Sequence, residues 1–202
     1  MNLLSVVETI GTLTGVVSIY CNTQQKAWGW LLGIISILAY LFVFWEVFLF
    51  ADFALHVVYL IMSIYGYYHW LYGNPEKHAV SRRLPVTKAS KIELATLLLL
   101  SMIGTWMGGF LMQKYVPQNT FPYTDAFITS FSLAGTWLAT QKRIENWLVW
   151  FFTDVVCVYL YLQKGLMLTA FLYGLYTILA LYGYVTWKKS LKTQKQVSMK
   201  AV

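Results

Sequence analysis

The chain has 202 residues, 58% of them apolar and only 11% charged, with a formal net charge of +7. Soluble domains carry about 25% charged residues, so this composition excludes an ordinary water-soluble fold and points to a chain that spans a membrane. The two cysteines, Cys21 and Cys157, fall in apolar stretches without metal-ligand spacing, which excludes a disulfide framework and reads as two structural thiols.

Hydropathy and breaker residues predict seven apolar helices, at about 3–20, 28–46, 51–71, 91–115, 123–140, 145–162 and 166–187. Each approaches the roughly 20 residues that cross a bilayer. The first has no basic residues ahead of it and reads as part of the fold rather than as a cleavable leader. A polar segment at 73–90, with Pro75 and Pro85, separates the third helix from the fourth. Val116 to Pro122 forms a turn before the fifth. The final residues, 191–202, form a frayed basic tail.

The segment from Glu8 to Trp70 repeats as Asp125 to Trp187 at a constant offset of 117 residues, without a gap. Thr23-Gln24 meets Thr140-Gln141, Trp30-Leu31 meets Trp147-Leu148, and Tyr59 meets Tyr176. Tyr65-Gly66-Tyr67 meets Tyr182-Gly183-Tyr184, and Trp70 meets Trp187. Three helices per repeat and one extra crossing give two copies of the same orientation. The expected fold is therefore an all-α membrane protein of seven spans in a parallel 3+1+3 repeat, as in SWEET-type transporters. Residues 1–72 form the first three-helix bundle, 91–115 the linking helix, and 123–190 the second bundle. Duplicated bundles of this kind are carriers, with a substrate site between the bundles and rocking as the transport motion.

Thirteen of the fifteen Lys and Arg residues fall on one side of this topology; only Lys114 and Lys164 fall on the other. The positive-inside rule then puts the N-terminus outside and the C-terminus in the cytoplasm. Topology and anionic lipid account for the net charge, and nucleic acid is not needed to explain it.

Of the eight acids, only Asp154 falls mid-way along a predicted helix. An ionisable group at that depth costs several kcal/mol unless it faces a cavity or a partner, which marks it as functional; the plain alternative is a structural aspartate bonded to a neighbouring helix. Trp147, Trp150 and Asp154 lie at i, i+3 and i+7 and share a face. A carboxylate beside indoles suits a flat, cationic, aromatic ligand, although both tryptophans also fit an interfacial belt. His56, Tyr59 and Ser63 share a face of the third helix in the same way. Tyr173 and Tyr176 answer on the seventh, and Trp30, Gly33 and Ser36 align on the second. These ten residues without Gly33 are the candidate substrate contacts, Gly33 reading as a packing glycine. The Tyr-Gly-Tyr runs read as packing devices. No phosphate loop, metal motif or nucleophile–base pair is present, so no enzyme, metal or cofactor is expected. A retinal protein needs a mid-helix lysine, and Lys188 stands at the end of its helix.

Glu145-Asn146-Trp147-Leu148-Val149-Trp150, Ile64 to Trp70, Phe121-Pro122-Tyr123-Thr124-Asp125 and the basic exit after Trp187 resemble the Pnu family of vitamin transporters over about residues 8–190. The resemblance implies facilitated diffusion of an unphosphorylated vitamin across a bacterial inner membrane. It also implies trapping by a cytoplasmic kinase or pyrophosphokinase, and a homotrimer. In the family's nicotinamide riboside carriers, positions 36, 56, 63 and 154 resemble an Asn, Gln, Asn, Asn set. Ser36, His56, Ser63 and Asp154 stand there in this chain. A carboxylate with fewer amide donors favours thiamine over the riboside, and neutral riboflavin last. A membrane scaffold or sensor that transports nothing is the rival of a different class.

Overall fold

The computed structural model describes residues 3–74 and 83–200. Among them are seven α-helices: α1 (Leu3–Thr23), α2 (Gly29–Glu46), α3 (Phe50–Tyr72), α4 (Lys91–Tyr115), α5 (Pro122–Thr140), α6 (Asn146–Gln163) and α7 (Met167–Lys200). The centre of the expected 73–90 loop, with Lys77 and Arg82, lies outside the described residues.

Local chemistry explains the ends. Ser90 caps α4 by accepting from the Glu93 backbone N–H at 3.0 Å, half of a capping box. Pro122 opens α5, where its missing N–H costs nothing. Gly165, at φ 72°, turns the chain after α6. The frayed tail expected from residue 191 is instead a continuation of α7 to Lys200. No Gly or Pro follows Gly183, and lysine and glutamine are good helix formers, so nothing stops the helix.

By length and composition α1, α2, α4 and Met167–Gln194 of α7 are apolar enough to cross a membrane. The other three helices, α3, α5 and α6, are of similar length and carry His56 and Ser63 on α3, Asp125 on α5, and Thr153 and Asp154 on α6. Six of the ten candidate contacts sit on α3 and α6; Trp30 and Ser36 are on α2, and Tyr173 and Tyr176 on α7.

The chain forms two compact units. The first takes its residues from 1–86, 140–142 and 189–202; the second takes them from 87–139 and 143–188. In the first, α1 packs on α2 and α2 on α3. Ser36 Oγ donates to the Gly11 carbonyl at 2.7 Å and Ser18 Oγ to the Gly29 carbonyl at 2.7 Å, which ties α2 to α1. In the second, α4 lies on α5 through small residues. Gly104 faces Ser130, Gly108 faces Ala126, and Gly109 faces the Tyr123 ring. Small residues let backbones approach where lipid supplies no hydrophobic drive.

The internal repeat is visible in the geometry of each unit. Trp30 meets Trp70 edge-on at 5.6 Å, and Trp147 meets Trp187 edge-on at 5.3 Å. Both Trp30 and Trp147 rest on the glycine of a Tyr-Gly-Tyr run, Gly66 and Gly183 respectively. Left-handed backbone recurs at Gln25 (φ 58°) and Lys142 (φ 53°), and at Phe48 (φ 59°) and Gly165 (φ 72°). The turns close with matching bonds: Lys26 N–H to the Cys21 carbonyl and Arg143 N–H to the Leu138 carbonyl, at 3.0 and 2.9 Å.

Candidate functional site

The first unit holds an aromatic nest on α2 and α3. His56 lies 4.8 Å from Phe44, 5.6 Å from Tyr59 and 5.9 Å from Tyr40, between ring centres. Its Nδ1 is 3.0 Å from the Asp52 carbonyl one turn back, which orients the ring. Tyr40 Oη is held by Thr12 Oγ1 of α1 at 2.8 Å.

The second unit holds the matching nest on α6 and α7. Tyr161 stacks on Tyr173 at 5.2 Å, and Tyr173 meets Tyr176 edge-on at 5.6 Å. Phe44, His56 and Tyr59 are the repeat mates of Tyr161, Tyr173 and Tyr176. One backbone arrangement thus carries two different chemistries.

Asp154 separates them. Its repeat mate is Ile37. The Asp154 side chain is 3% exposed and makes neither an ion pair nor a hydrogen bond among the described residues. Cys157, Tyr173 and the carboxylate are within electrostatic range of one another. A buried carboxylate without a cation is costly, and a cationic ligand relieves that cost. Trp150 is placed by a paired change of size. In the first unit Ser18 of α1 faces Gly33 of α2; in the second Gly135 of α5 faces Trp150 of α6. The small residue has moved to α5, and the indole takes the space.

Of the candidate contacts, the structure brings His56 and Tyr59 together in one nest and Asp154, Tyr173 and Tyr176 in the other. Trp30 and Trp147, only 5% and 4% exposed, pack against their glycines and partner tryptophans. Ser36 is engaged with the Gly11 backbone, and Ser63 is buried on α3. Two residues of the family-like run make structural bonds. Glu145 accepts from the Ala89 N–H at 2.9 Å, and Asn146 donates to the Arg143 carbonyl. Tyr40, Phe44 and Tyr161 were not among the candidates, yet the offset of 117 residues aligns Phe44 with Tyr161 and would have exposed the pair. Among the described residues no three His, Cys, Asp or Glu side chains converge on a metal-sized site.

Residues 5–189 match the family described as nicotinamide mononucleotide transporter. The chain belongs to this family. It is 26% identical to the nicotinamide riboside transporter PnuC of Escherichia coli (strain K12), covering 93% of this chain and 87% of that one. It is 23% identical to the riboflavin/roseoflavin transporter RibM of Streptomyces davaonensis, over 89% of this chain and 83% of that protein. A crystal structure of the vitamin B3 transporter PnuC superposes with a TM-score of 0.70 at 19% identity, covering 94% and 83% of the two chains. That likeness shows the fold. As a member of the transporter family, the chain is a membrane-embedded vitamin transporter of Pnu type.

Proposed function

We propose that this transporter moves a cationic aromatic vitamin by facilitated diffusion, with nicotinamide riboside as the first substrate and thiamine as the second reading. The observation that carries the charge is Asp154, a buried carboxylate without a cation of its own beside stacked tyrosines. Pyridinium and thiazolium rings both offer the positive, flat surface that such a nest attracts. The names of the PnuC relatives favour the riboside. The acid at position 154 and the serines and histidine at 36, 63 and 56 favour thiamine, since they supply fewer amide donors for a ribose. Riboflavin is neutral and gains nothing from the carboxylate.

Seven spans in a parallel 3+1+3 order, with the N-terminus outside, are supported by the gapless repeat and the one-sided lysines and arginines. Trapping by a cytoplasmic kinase and assembly as a homotrimer enter from the family resemblance.

The test is quenching of intrinsic tryptophan fluorescence in detergent, titrated with nicotinamide riboside, thiamine and riboflavin in turn, followed by uptake into proteoliposomes. Saturable quenching and uptake of the riboside carry the reading. Thiamine alone would install the second reading, and riboflavin alone would sink the role given to Asp154.

A further inference from the structure

Gln25 and Lys142 occupy the same position of the two repeats, with left-handed backbone at φ 58° and 53° and the same turn around them. The turn requires a residue that tolerates this backbone. Gln25 demonstrates that it does not require a charge.

Lys142 is nevertheless buried, at 5% exposure. Its Nζ donates to the Leu84 carbonyl at 2.8 Å and stands 4.8 Å from the centre of the Trp70 ring. Leu84 is itself joined to the end of α3, its N–H donating to the Trp70 carbonyl at 3.0 Å. Lysine is almost never fully buried unless paired. Here one carbonyl and one ring face serve three donors, with no carboxylate in an ion pair to Lys142 among the described residues. The charged groups around it are accounted for. Arg83 acts on it from the segment after α3. Arg143, next in the chain, is turned to Glu93 at 3.2 Å and to Thr87 at 2.7 Å. On α3, His69 stacks on Tyr65 at 5.2 Å.

Burial and the Arg83 guanidinium push the Lys142 ammonium down to about 8. In its packed place the lysine therefore holds its proton less tightly than a lysine in water. Protonation favours withdrawal into water, and deprotonation favours the packed place. The indole face offsets part of the cost of the charge without cancelling it.

We propose that Lys142 is a pH-sensitive latch, fastening the α5–α6 turn to Trp70 and Leu84, and that transport requires its release. The proposal rests on the carrier reading but is tested separately from it. Lys142→Gln gives the turn the residue that its repeat mate already carries in the same backbone conformation, so the variant keeps the fold.

Two measurements are made on the purified full chain between about pH 6.5 and 9, in a range set by the depressed lysine. The first is backbone hydrogen exchange over residues 140–146, corrected for intrinsic rates, which needs no substrate. The second is uptake into proteoliposomes with equal pH inside and out. Protection of the turn is expected to rise at least about threefold as pH passes through about 8, and uptake to fall over the same range. Both steps are expected to vanish in Lys142→Gln. Protection indifferent to pH, or a step that survives in the variant, overturns the latch. A step in protection with uptake flat in pH overturns its part in transport. Absence of uptake for every vitamin overturns the carrier reading, and with it the transport half of the latch, while the exchange data still decide the fastening.

Discussion

Trp147 packs against Gly183 so closely that a Cβ on the glycine would stand 2.5 Å from the indole. Trp30 and Gly66 repeat the contact at 2.9 Å. A Cβ at either place meets a ring buried beneath a second tryptophan, which has nowhere to go. Gly66→Ala and Gly183→Ala should therefore each destabilise the protein by about 1–3 kcal/mol, the usual cost of overpacking, less the gain in helix propensity. Gly174→Ala on α7 meets nothing within 4 Å and should instead stabilise by up to about 1 kcal/mol. Melting temperatures in one detergent check all three, and equal behaviour of Gly174 and Gly183 would refute the joint.

Asp154→Asn keeps the shape of the side chain and removes its charge. Affinity for nicotinamide riboside or thiamine should fall roughly ten- to hundred-fold, since a hydrogen bond to a charged group contributes about 1.5–3 kcal/mol. Riboflavin, being neutral, should be indifferent to the change. Trp150→Ala should weaken all aromatic ligands alike through lost stacking. Equilibrium binding by calorimetry checks the pattern, and wild-type affinity in both folded variants would move the site elsewhere.

Glu145 belongs to the run that most resembles the family, but its carboxylate is engaged with the Ala89 N–H at 2.9 Å. Glu145→Ala leaves that donor unpaired and should cost about 1–3 kcal/mol of stability. The affinity of the folded fraction should stay the same. Breaking the partly exposed Arg143–Glu93 pair, at 3.2 Å, should cost less, at most about 1 kcal/mol. Chemical denaturation beside ligand titration separates the two roles, and a loss of affinity at constant stability would return Glu145 to the site.

Lys142 also makes stability depend on pH with a definite sign. Its ordinary value of 10.5 falls to about 8 in the fold. Below about 8 both folded and unfolded chains hold the proton, and the contribution of Lys142 to stability is flat and at its lowest. Between about 8 and 10.5 the unfolded chain binds more protons, so stability rises with pH; above that the effect is constant. The rise is at most roughly 3–4 kcal/mol, at 1.36 kcal/mol for each pH unit between the two values. The difference in melting temperature between wild type and Lys142→Gln, followed with pH, removes the contributions of other groups. A difference that does not change with pH would show that Lys142 is solvated.

The helices were legible because apolar runs, prolines and polar turns agree. Pro122, Gly165 and Ser90-x-x-Glu93 mark ends that the chain uses. The tail differs from the expectation because a chain end frays only where nothing holds it in a helix, whereas a lysine-rich sequence without a breaker continues one. Asp154 stands out in the sequence by a single property, its charge at mid-helix, and the structure finds it buried there. Trp147 was harder. Spacing puts it on the face of Trp150 and Asp154, but helical spacing does not say whether the facing helix offers a glycine or a cavity. Lys142 was counted only as a topology charge, because left-handed backbone and burial in a turn leave no periodic trace. Comparison of Lys142 with Gln25 was available in the repeat and would have marked it.

The unbroken course of α7 has a practical consequence. At 34 residues the helix is about 51 Å long, some 20 Å more than the hydrocarbon core of a bilayer. A chain of 23.3 kDa offers electron microscopy little mass outside a detergent belt. A soluble helical domain spliced in phase onto α7 near Gln194 would stand clear of the micelle at a fixed angle. It would provide the alignment marker that so small a carrier lacks.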